Sequence, residues 1–398
     1  MPITEFLRRH GLLPEFIDGP DCLNRLLQQM EEGLAGRGNI PMLPSYLSLD
    51  TKPVPGVPCC VLDAGGTNLR RAKALFREDG SWELSNFAKI PMPGTQGVLS
   101  FDGFYGALAR QVQETGCPER VGFCFSYNVA QERDLDGVLL AWCKEVRVPE
   151  APGKPVGASL KAAIGSDCRT VRVLNDSTAA LLGAHAADPR IALGLILGTG
   201  INICYSERCE NIPKVPRDLR DESMIVSTEI GEFDGFPKSD FDRAVIEASD
   251  DPALAHAEKQ CAGAYLGDVI RLAWQEAARE GLIPVSFAAP VTLPQISDFL
   301  ASGPQDPGAA AIARALIHRA AKIAAVLTAG PILKSHQPGQ HCALVIEGSQ
   351  FTRLTGFGPA FTRELEALLE PHRIPFTPHQ VENSCLLGAA IAALAQPM

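Results

Sequence analysis

The sequence predicts an α/β protein of two domains, and three observations carry that reading. Apolar strand-like runs alternate with helical segments, as in RVGFCFS at 120–126, a helix near 156–164 and TVRVLND at 170–176; this alternation is the mark of layered α/β architecture. One plan also occurs twice. Cys59 to Leu62 leads into the turn Asp63-Ala64-Gly65-Gly66-Thr67-Asn68 and out along a second strand to Phe76, and IALGLILGTGINICYS at 191–206 repeats strand, glycine turn with Thr, strand. Such a repeat is a sign of internal duplication, and two similar halves would place two glycine turns on one cleft. Finally, 398 residues at about 100–200 per domain make two or three domains.

The elements follow in order. Residues 1–35 read as helical, with Leu23, Leu26, Leu27 and Met30 on one face. PMLPSYLSLDTKPVPGVP at 41–58 is a proline-rich extended connection. The first glycine hairpin follows, then a helix near 98–115 and the alternating segments above. After 206 the helices lengthen. In 258–276 Cys261, Tyr265, Val269 and Ala273 recur every four residues beside Leu266, Ile270 and Trp274, which predicts one helix with a wide apolar stripe. An alanine-rich helix at 307–329, a strand at 342–348, a helix near 358–370 and a closing helix from Ser384 to about Ala395 complete the chain.

Composition narrows the function. Hydrophobic residues at 46% and charged residues at 21% suffice for buried cores. A net charge of -10 argues against a nucleic-acid or anionic-membrane binder, which needs a basic surface. It still allows a small phosphorylated ligand, for which backbone amides and one or two cations suffice. The 12 cysteines are scattered, several within apolar runs, with no C-x2-C spacing; they read as free thiols of a reducing compartment. The N-terminal residues lack the apolar core of a signal peptide. The run LLGAAIAALA at 386–395 is shorter than the ~20 residues of a membrane span. The expectation is a soluble cytoplasmic protein.

Three glycine turns follow apolar strands: Gly65-Gly66-Thr67, Gly198-Thr199-Gly200 and Gly348-Ser349. Glycine lets the backbone approach a phosphate, and Thr or Ser hydroxyls can donate to its oxygens. None is a Walker A loop or a dinucleotide fingerprint, and each alone is an ordinary tight turn. Asp63, at a strand end, suits a Mg2+ ion held through few protein ligands or a turn in which Asp bonds its own backbone. Asn175-Asp176 ends a strand and opens a helix. Asp176 is either a helix N-cap or a general base within reach of a hydroxyl. Lys144, Glu229 and Glu258 are surface residues by default and gain meaning only as a set that binds a polyol.

As an ordered set these segments resemble the hexokinase family of sugar kinases. DAGGTNLR (63–70) is similar to its first phosphate segment, FSYNVAQERDLDGVLLAWCKEV (125–146) to its sugar segment, and VLNDSTAAL (173–181) to its Asn-Asp-Thr region. LGTGINICYSE (197–207) is similar to the second phosphate segment, STEIGEFDGF (227–236) and AEKQCAGAYLGDVIRL (257–272) to the two glutamate segments, IEGS (346–349) to the adenosine segment, and SCLLGAAIAAL (384–394) to the closing helix. The likeness runs from about residue 20 to 395.

The resemblance implies the actin-like ATPase (ribonuclease H-like) fold: two α/β domains with an interdomain cleft. A small domain would comprise 57–188 plus 384–398, and a large one 1–56 plus 189–383. It implies a hexokinase/glucokinase-type phosphotransferase that uses ATP and Mg2+ to phosphorylate a glucose-like hexose at its 6-hydroxyl. Asp176 would be the catalytic base and Lys144 a sugar- and phosphoryl-side cation. Ser126, Cys143, Asn175, Asn202, Glu229 and Glu258 would line the sugar. Asp63 would hold Mg2+ through water, with Gly65, Gly66, Thr67, Asn68, Arg70, Gly198, Thr199, Gly200, Gly348 and Ser349 around the nucleotide.

The sequence also departs from the family pattern. Cys143 replaces Thr, Asn128 replaces Pro, Val146 replaces Phe, Ser227 replaces Asn, Ile230 replaces Trp and Glu232 replaces Ala. The phosphate side is intact and the sugar side altered, so ATP chemistry is more firmly indicated than glucose. The competing readings are a hexose kinase with a non-glucose preference, a catalytically weak sugar sensor, and a nucleotide domain of the actin-like ATPase or chaperone type. Retention of both Asp176 and Lys144 disfavours the sensor.

Overall fold

The computed structural model describes residues 2–142, 146–303 and 305–395. Its strands are β1 (Leu43–Pro44), β2 (Pro58–Ala64), β3 (Asn68–Phe76), β4 (Trp82–Pro91), β5 (Arg120–Phe125), β6 (Asn128–Gln131), β7 (Gly137–Ala141), β8 (Thr170–Leu174), β9 (Ile191–Leu197), β10 (Ile201–Arg208), β11 (Ser223–Ser227), β12 (Cys342–Glu347) and β13 (Phe376–His379). Its helices are α1 (Pro2–Arg9), α2 (Gly19–Leu34), α3 (Phe101–Gln113), α4 (Val156–Ile164), α5 (Asp176–Ala187), α6 (Asp240–Ala248), α7 (His256–Cys261), α8 (Gly263–Arg279), α9 (Leu293–Ala301), α10 (Pro307–Ser335), α11 (Ser349–Arg353), α12 (Phe357–Leu369) and α13 (Ser384–Leu394). The strands form a six-stranded sheet of order β1-β11-β10-β9-β12-β13, a five-stranded sheet of order β4-β3-β2-β5-β8, and the hairpin β6-β7.

The chain divides into two compact units. One contains 1–42, 195–203 and 228–378; the other contains 43–194, 204–227 and 379–398. They are near-equal in size. The second unit takes in 43–56, 189–194, 204–227 and 379–383, which the sequence reading assigns to a large domain. Strand pairing accounts for part of this. β1 pairs antiparallel with β11, and β11 with β10, so residues distant in sequence travel as one piece.

The second unit is organised on its five-stranded sheet. β2, β5 and β8 are parallel, while β3 and β4 extend the sheet as antiparallel hairpins. Side chains alternate between sheet faces. Val121, Phe123 and Phe125 pack with Phe104, Leu108, Val156 and Leu160 of α3 and α4. Gly122, between them, faces the closing helix α13. A Cβ on Gly122 would overlap the Ala389 carbonyl, one on Gly388 that of Ala179, and one on Gly183 that of Ser384. The Gly-Ala-Ala sequence of α13 thus lets backbones touch where side chains would hold them apart.

The first unit is built around α10, a 29-residue helix beside α2, α8 and α12. By length and composition α10 could cross a membrane. Its apolar window is 83% buried within the protein. Within it, Arg319 is 1% exposed and pairs with Asp242, which is fully buried; its Nη1 and Nη2 each donate to one carboxylate oxygen, at 3.1 and 2.7 Å.

Two expected helices are divided. The 1–35 segment splits into α1 and α2 around Gly11, which has φ +68°, and Pro14. The single helix expected over 258–276 is α7 and α8, broken at Ala262 (φ -78°, ψ 156°). That break has a long-range cause. The Gly263 N–H donates to the Gly198 carbonyl at 2.8 Å and the Ala264 N–H to that of Thr199 at 3.1 Å, so the start of α8 is tied to the second glycine turn.

Candidate active site

The second unit gathers its candidates at the C-terminal ends of three adjacent parallel strands, where ligands of open α/β sheets bind. Asp63 is near the end of β2, Ser126 follows β5, and Asn175-Asp176 follow β8. Pairing of Asp63 with Cys124, and of Cys124 with Leu174, brings these ends side by side. The first glycine turn is closed by the Gly65 N–H on the Asn68 carbonyl at 3.0 Å. It is braced by the Tyr127 hydroxyl, which donates to the Gly65 carbonyl at 3.0 Å. The Ser126 N–H donates to the Ala64 carbonyl at 3.2 Å, and Asn68 Nδ2 to Thr67 Oγ1 at 2.7 Å.

Asp63 is 5% exposed and faces Arg70 across the β2–β3 pair. Arg70 donates from Nε at 2.6 Å and also from Nη2, both to Asp63 Oδ2. Two residues assigned separately to metal and phosphate therefore form one ion pair. Asp63 still offers hard carboxylate oxygen, the donor type Mg2+ takes when it keeps most of its water.

At the start of α5 the capping residue is Asn175. Its Oδ1 accepts from the Ser177 N–H at 2.8 Å and from Ser177 Oγ at 2.7 Å. Asp176 lies in the first turn, half-buried, and its Oδ1 meets the same Ser177 N–H at 2.9 Å. The N-cap role open to Asp176 in the sequence belongs to its neighbour. Neutral thiols pack nearby: Cys204 Sγ donates to the Ser177 carbonyl at 2.9 Å. A hydrogen bond with Cys385, then burial, push the Cys124 thiol up, and burial does the same for Cys204.

The first unit holds the other candidates. The exposed Thr199 tops the turn between β9 and β10. A Cβ on Gly198 would lie 3.6 Å from Gly348 Cα, so the second and third glycine turns are neighbours. Gly348 has φ +111°, and a Cβ there would overlap the Leu197 carbonyl; only glycine fits. Ser349 is exposed beside it, at the start of α11. Glu258, on α7, accepts from the Ile201 N–H through Oε2 at 2.9 Å, and a Cβ on Gly200 would overlap that oxygen. Asn202 and Glu229 bind each other twice: Asn202 Nδ2 donates to Glu229 Oε1 at 2.6 Å, and Asn202 Oδ1 accepts from the Glu229 N–H at 3.0 Å. Glu229 is left-handed (φ 54°, ψ 45°), a strained state for a side chain of this kind that clusters at functional positions.

Cys143 and Lys144 lie outside the described residues. Trp142, just before them, is fixed by its Nε1–H on the Val148 carbonyl at 2.9 Å and by edge contact with Tyr127 at 5.0 Å. Two residues take parts that the sequence did not assign them, Gln350 and Glu232, the latter noted there only as a departure from the family's Ala. Buried Gln350 donates to the Cys261 carbonyl at 2.6 Å and so joins the third turn to the end of α7. Glu232 accepts from the Ala255 N–H at 2.7 Å. The signal for Gln350 was its place beside Ser349; the Glu232 partner is 23 residues away and had none.

Family models described as hexokinase match residues 20–186 and residues 192–301 with 308–395. Among curated relatives, hexokinase-1 of Schizosaccharomyces pombe is 32% identical over 271 residues, covering 62% of this chain and 55% of that protein. The chloroplastic hexokinase-4 of Oryza sativa is 35% identical over 263 residues, covering 61% and 52%. The chain thus spans about half the length of these curated relatives. The hexokinase from Schistosoma mansoni, solved in complex with glucose, superposes with a TM-score of 0.85 at 20% identity, covering 98% of this chain and 99% of that one. A further solved hexokinase gives 0.77 at 21% identity, again over 98% and 99%. The fold is the two-domain α/β fold of the actin-like ATPases, as expected. With both family models matched in order across the chain and the fold shared over nearly its whole length, this protein belongs to the hexokinase family.

Proposed function

We propose that the protein transfers the γ-phosphoryl group of ATP to the 6-hydroxyl of a hexose, with Asp176 as general base. The observation that carries this is the division of labour at the start of α5. Asn175 caps the helix, which leaves the half-buried Asp176 carboxylate at a strand end to accept a proton. Phosphoryl transfer asks the protein for positioning and charge neutralisation rather than covalent chemistry.

Each group of residues has a part. Asn202, Glu229 and Glu258 accept from sugar hydroxyls; the Asn202–Glu229 pair and the bond from the Ile201 N–H to Glu258 fix the carboxylates before the sugar arrives. Ser126, Asn175, Lys144 and Cys143 complete the sugar set. Gly65, Gly66, Thr67, Asn68, Arg70, Gly198, Thr199 and Gly200 offer amides, hydroxyls and a cation to phosphates, and Gly348 and Ser349 serve the adenosine side. Asp63 would hold Mg2+ through water, an ion that supplies charge neutralisation on the phosphates. Asp176 takes the 6-hydroxyl proton as the oxygen attacks phosphorus. The free buried thiols support a cytoplasmic setting.

A second reading, a kinase with a non-glucose preference, is favoured by one observation: Glu232, where the family pattern has Ala, is built into the glutamate segment. The test for both is ADP release measured across a panel of hexoses. Sugar-dependent release supports the kinase, the best substrate decides the preference, and release without sugar dependence overturns the proposal.

A further inference from the structure

We propose that Glu232 is a positioning residue that sets the spacing between Glu229 and Glu258, and through it the affinity for the hexose. The inference rests on the reading of those two glutamates as sugar ligands. Glu229 caps the tight turn Ile230–Glu232, and the Glu232 N–H donates back to the Glu229 carbonyl at 3.1 Å. Glu232 therefore sits one turn from Glu229. Its own carboxylate reaches the other way, where Oε2 accepts from the Ala255 N–H at 2.7 Å.

Ala255 is the residue on which α7 is hung. It is left-handed (φ 53°, ψ 42°), it occupies the N-cap position, and it has no side chain with which to cap the helix. An alanine does not hold that conformation by preference; the bond from Glu232 fixes it. Glu258 is the third residue of α7. Two three-residue steps, Glu229 to Glu232 and Ala255 to Glu258, are thus joined by one charge-assisted hydrogen bond, a stronger tie than a neutral one.

The surroundings leave little slack. A Cβ on Gly231 would lie 3.0 Å from Glu258 Cβ, so the turn and α7 are in close contact. On the far side of the loop, buried Lys259 donates from Nζ to the carbonyls of Asp251 and Leu254 at 2.6 and 2.8 Å and pairs with the Asp251 carboxylate. The loop before α7 is held from both sides, by Lys259 of α7 and by Glu232 across it. Loss of the Glu232 carboxylate frees Ala255 and lets Glu258 drift relative to Glu229, and a displacement near 1 Å is enough to weaken a ligand that needs both.

The experiment compares hexose affinity by calorimetry, hexose KM, ATP KM and kcat for Glu232→Ala, Glu232→Gln and the wild type. Glu232→Ala should weaken hexose binding and raise hexose KM by about 5- to 20-fold, with ATP KM and kcat within about two-fold. Glu232→Gln keeps an oxygen acceptor and should return hexose KM to within about three-fold of wild type. A Glu232→Ala protein that melts lower yet binds hexose normally overturns the inference. Should that variant not fold, Glu232→Asp, which keeps the charge and shortens the reach, carries the same comparison. Glu229→Gln and Glu258→Gln separate the two levels. If neither weakens hexose binding, the sugar-ligand reading fails; if both do and Glu232→Ala does not, only the spacing role fails.

Discussion

If Asp176 is the general base proposed above, its replacement by Asn separates catalysis from helix capping. Capping at this end comes from Asn175, whose Oδ1 stays 2.8 Å from the Ser177 N–H whatever stands at 176. An asparagine at 176 also keeps an oxygen for the 2.9 Å contact to that amide. What the native state loses is a negative charge in the first turn of α5, worth about 0.3–1 kcal/mol against the helix dipole. Removing a general base instead costs about 100- to 10,000-fold in kcat. The assay is initial-rate ADP release and thermal melting on one preparation of Asp176→Asn, with Asn175→Ala beside it. Asp176→Asn should melt close to wild type and turn over at most about a hundredth as fast. Asn175→Ala should lose about 1 kcal/mol of stability as its cap is removed. An Asp176→Asn enzyme that retains more than about a tenth of wild-type kcat would refute the reasoning and hand the proton to another group.

The closing helix should tolerate no added atom at Gly388: Gly388→Ala meets the Ala179 carbonyl, backbone against backbone, and should destabilise by about 3 kcal/mol in chemical denaturation; an unchanged midpoint would contradict the packing. The buried thiols should respond to pH. Burial pushes Cys60 and Cys342 up to about 12 from an ordinary value of 9.0. The unfolded chain therefore releases protons that the native state keeps. Their contribution is full below about pH 9 and is lost as pH rises toward about 12, so Tm should fall progressively above about pH 9. A Tm that stays flat to about pH 10.5 would contradict it. In denaturant without reductant, titration should find all 12 cysteines as free thiols.

Much of the fold was legible because its signals are local. Apolar runs ended by glycine marked β2, β9 and β12, and Asn-Asp at the end of an apolar run marked the start of α5. Which of the two caps the helix was not legible, since both residue types cap and a one-residue shift decides between them. The break between α7 and α8 was hidden for a different reason. The apolar stripe runs through Ala262 unbroken, and what bends the chain is a carbonyl at Gly198, far away in sequence. The split of the N-terminal helix had its signals in plain view: Gly11 and Pro14, with Asp18 capping α2 by accepting from the Asp21 N–H at 3.0 Å. The membership of 43–56 in its unit was not legible, because β1 reaches across the chain to pair with β11. The ion pair of Asp63 and Arg70 could have been read from the hairpin, where the two residues stand opposite each other in register.

Product analysis tests the central claim most directly. The protein is incubated with ATP, Mg2+ and its best hexose, and phosphorylated products are identified and counted by mass spectrometry and phosphorus NMR. The account predicts one hexose 6-phosphate for each ADP formed, and no sugar phosphate from the same hexose lacking its 6-hydroxyl. ADP formed without any sugar phosphate, or phosphate found on a different hydroxyl, would contradict it.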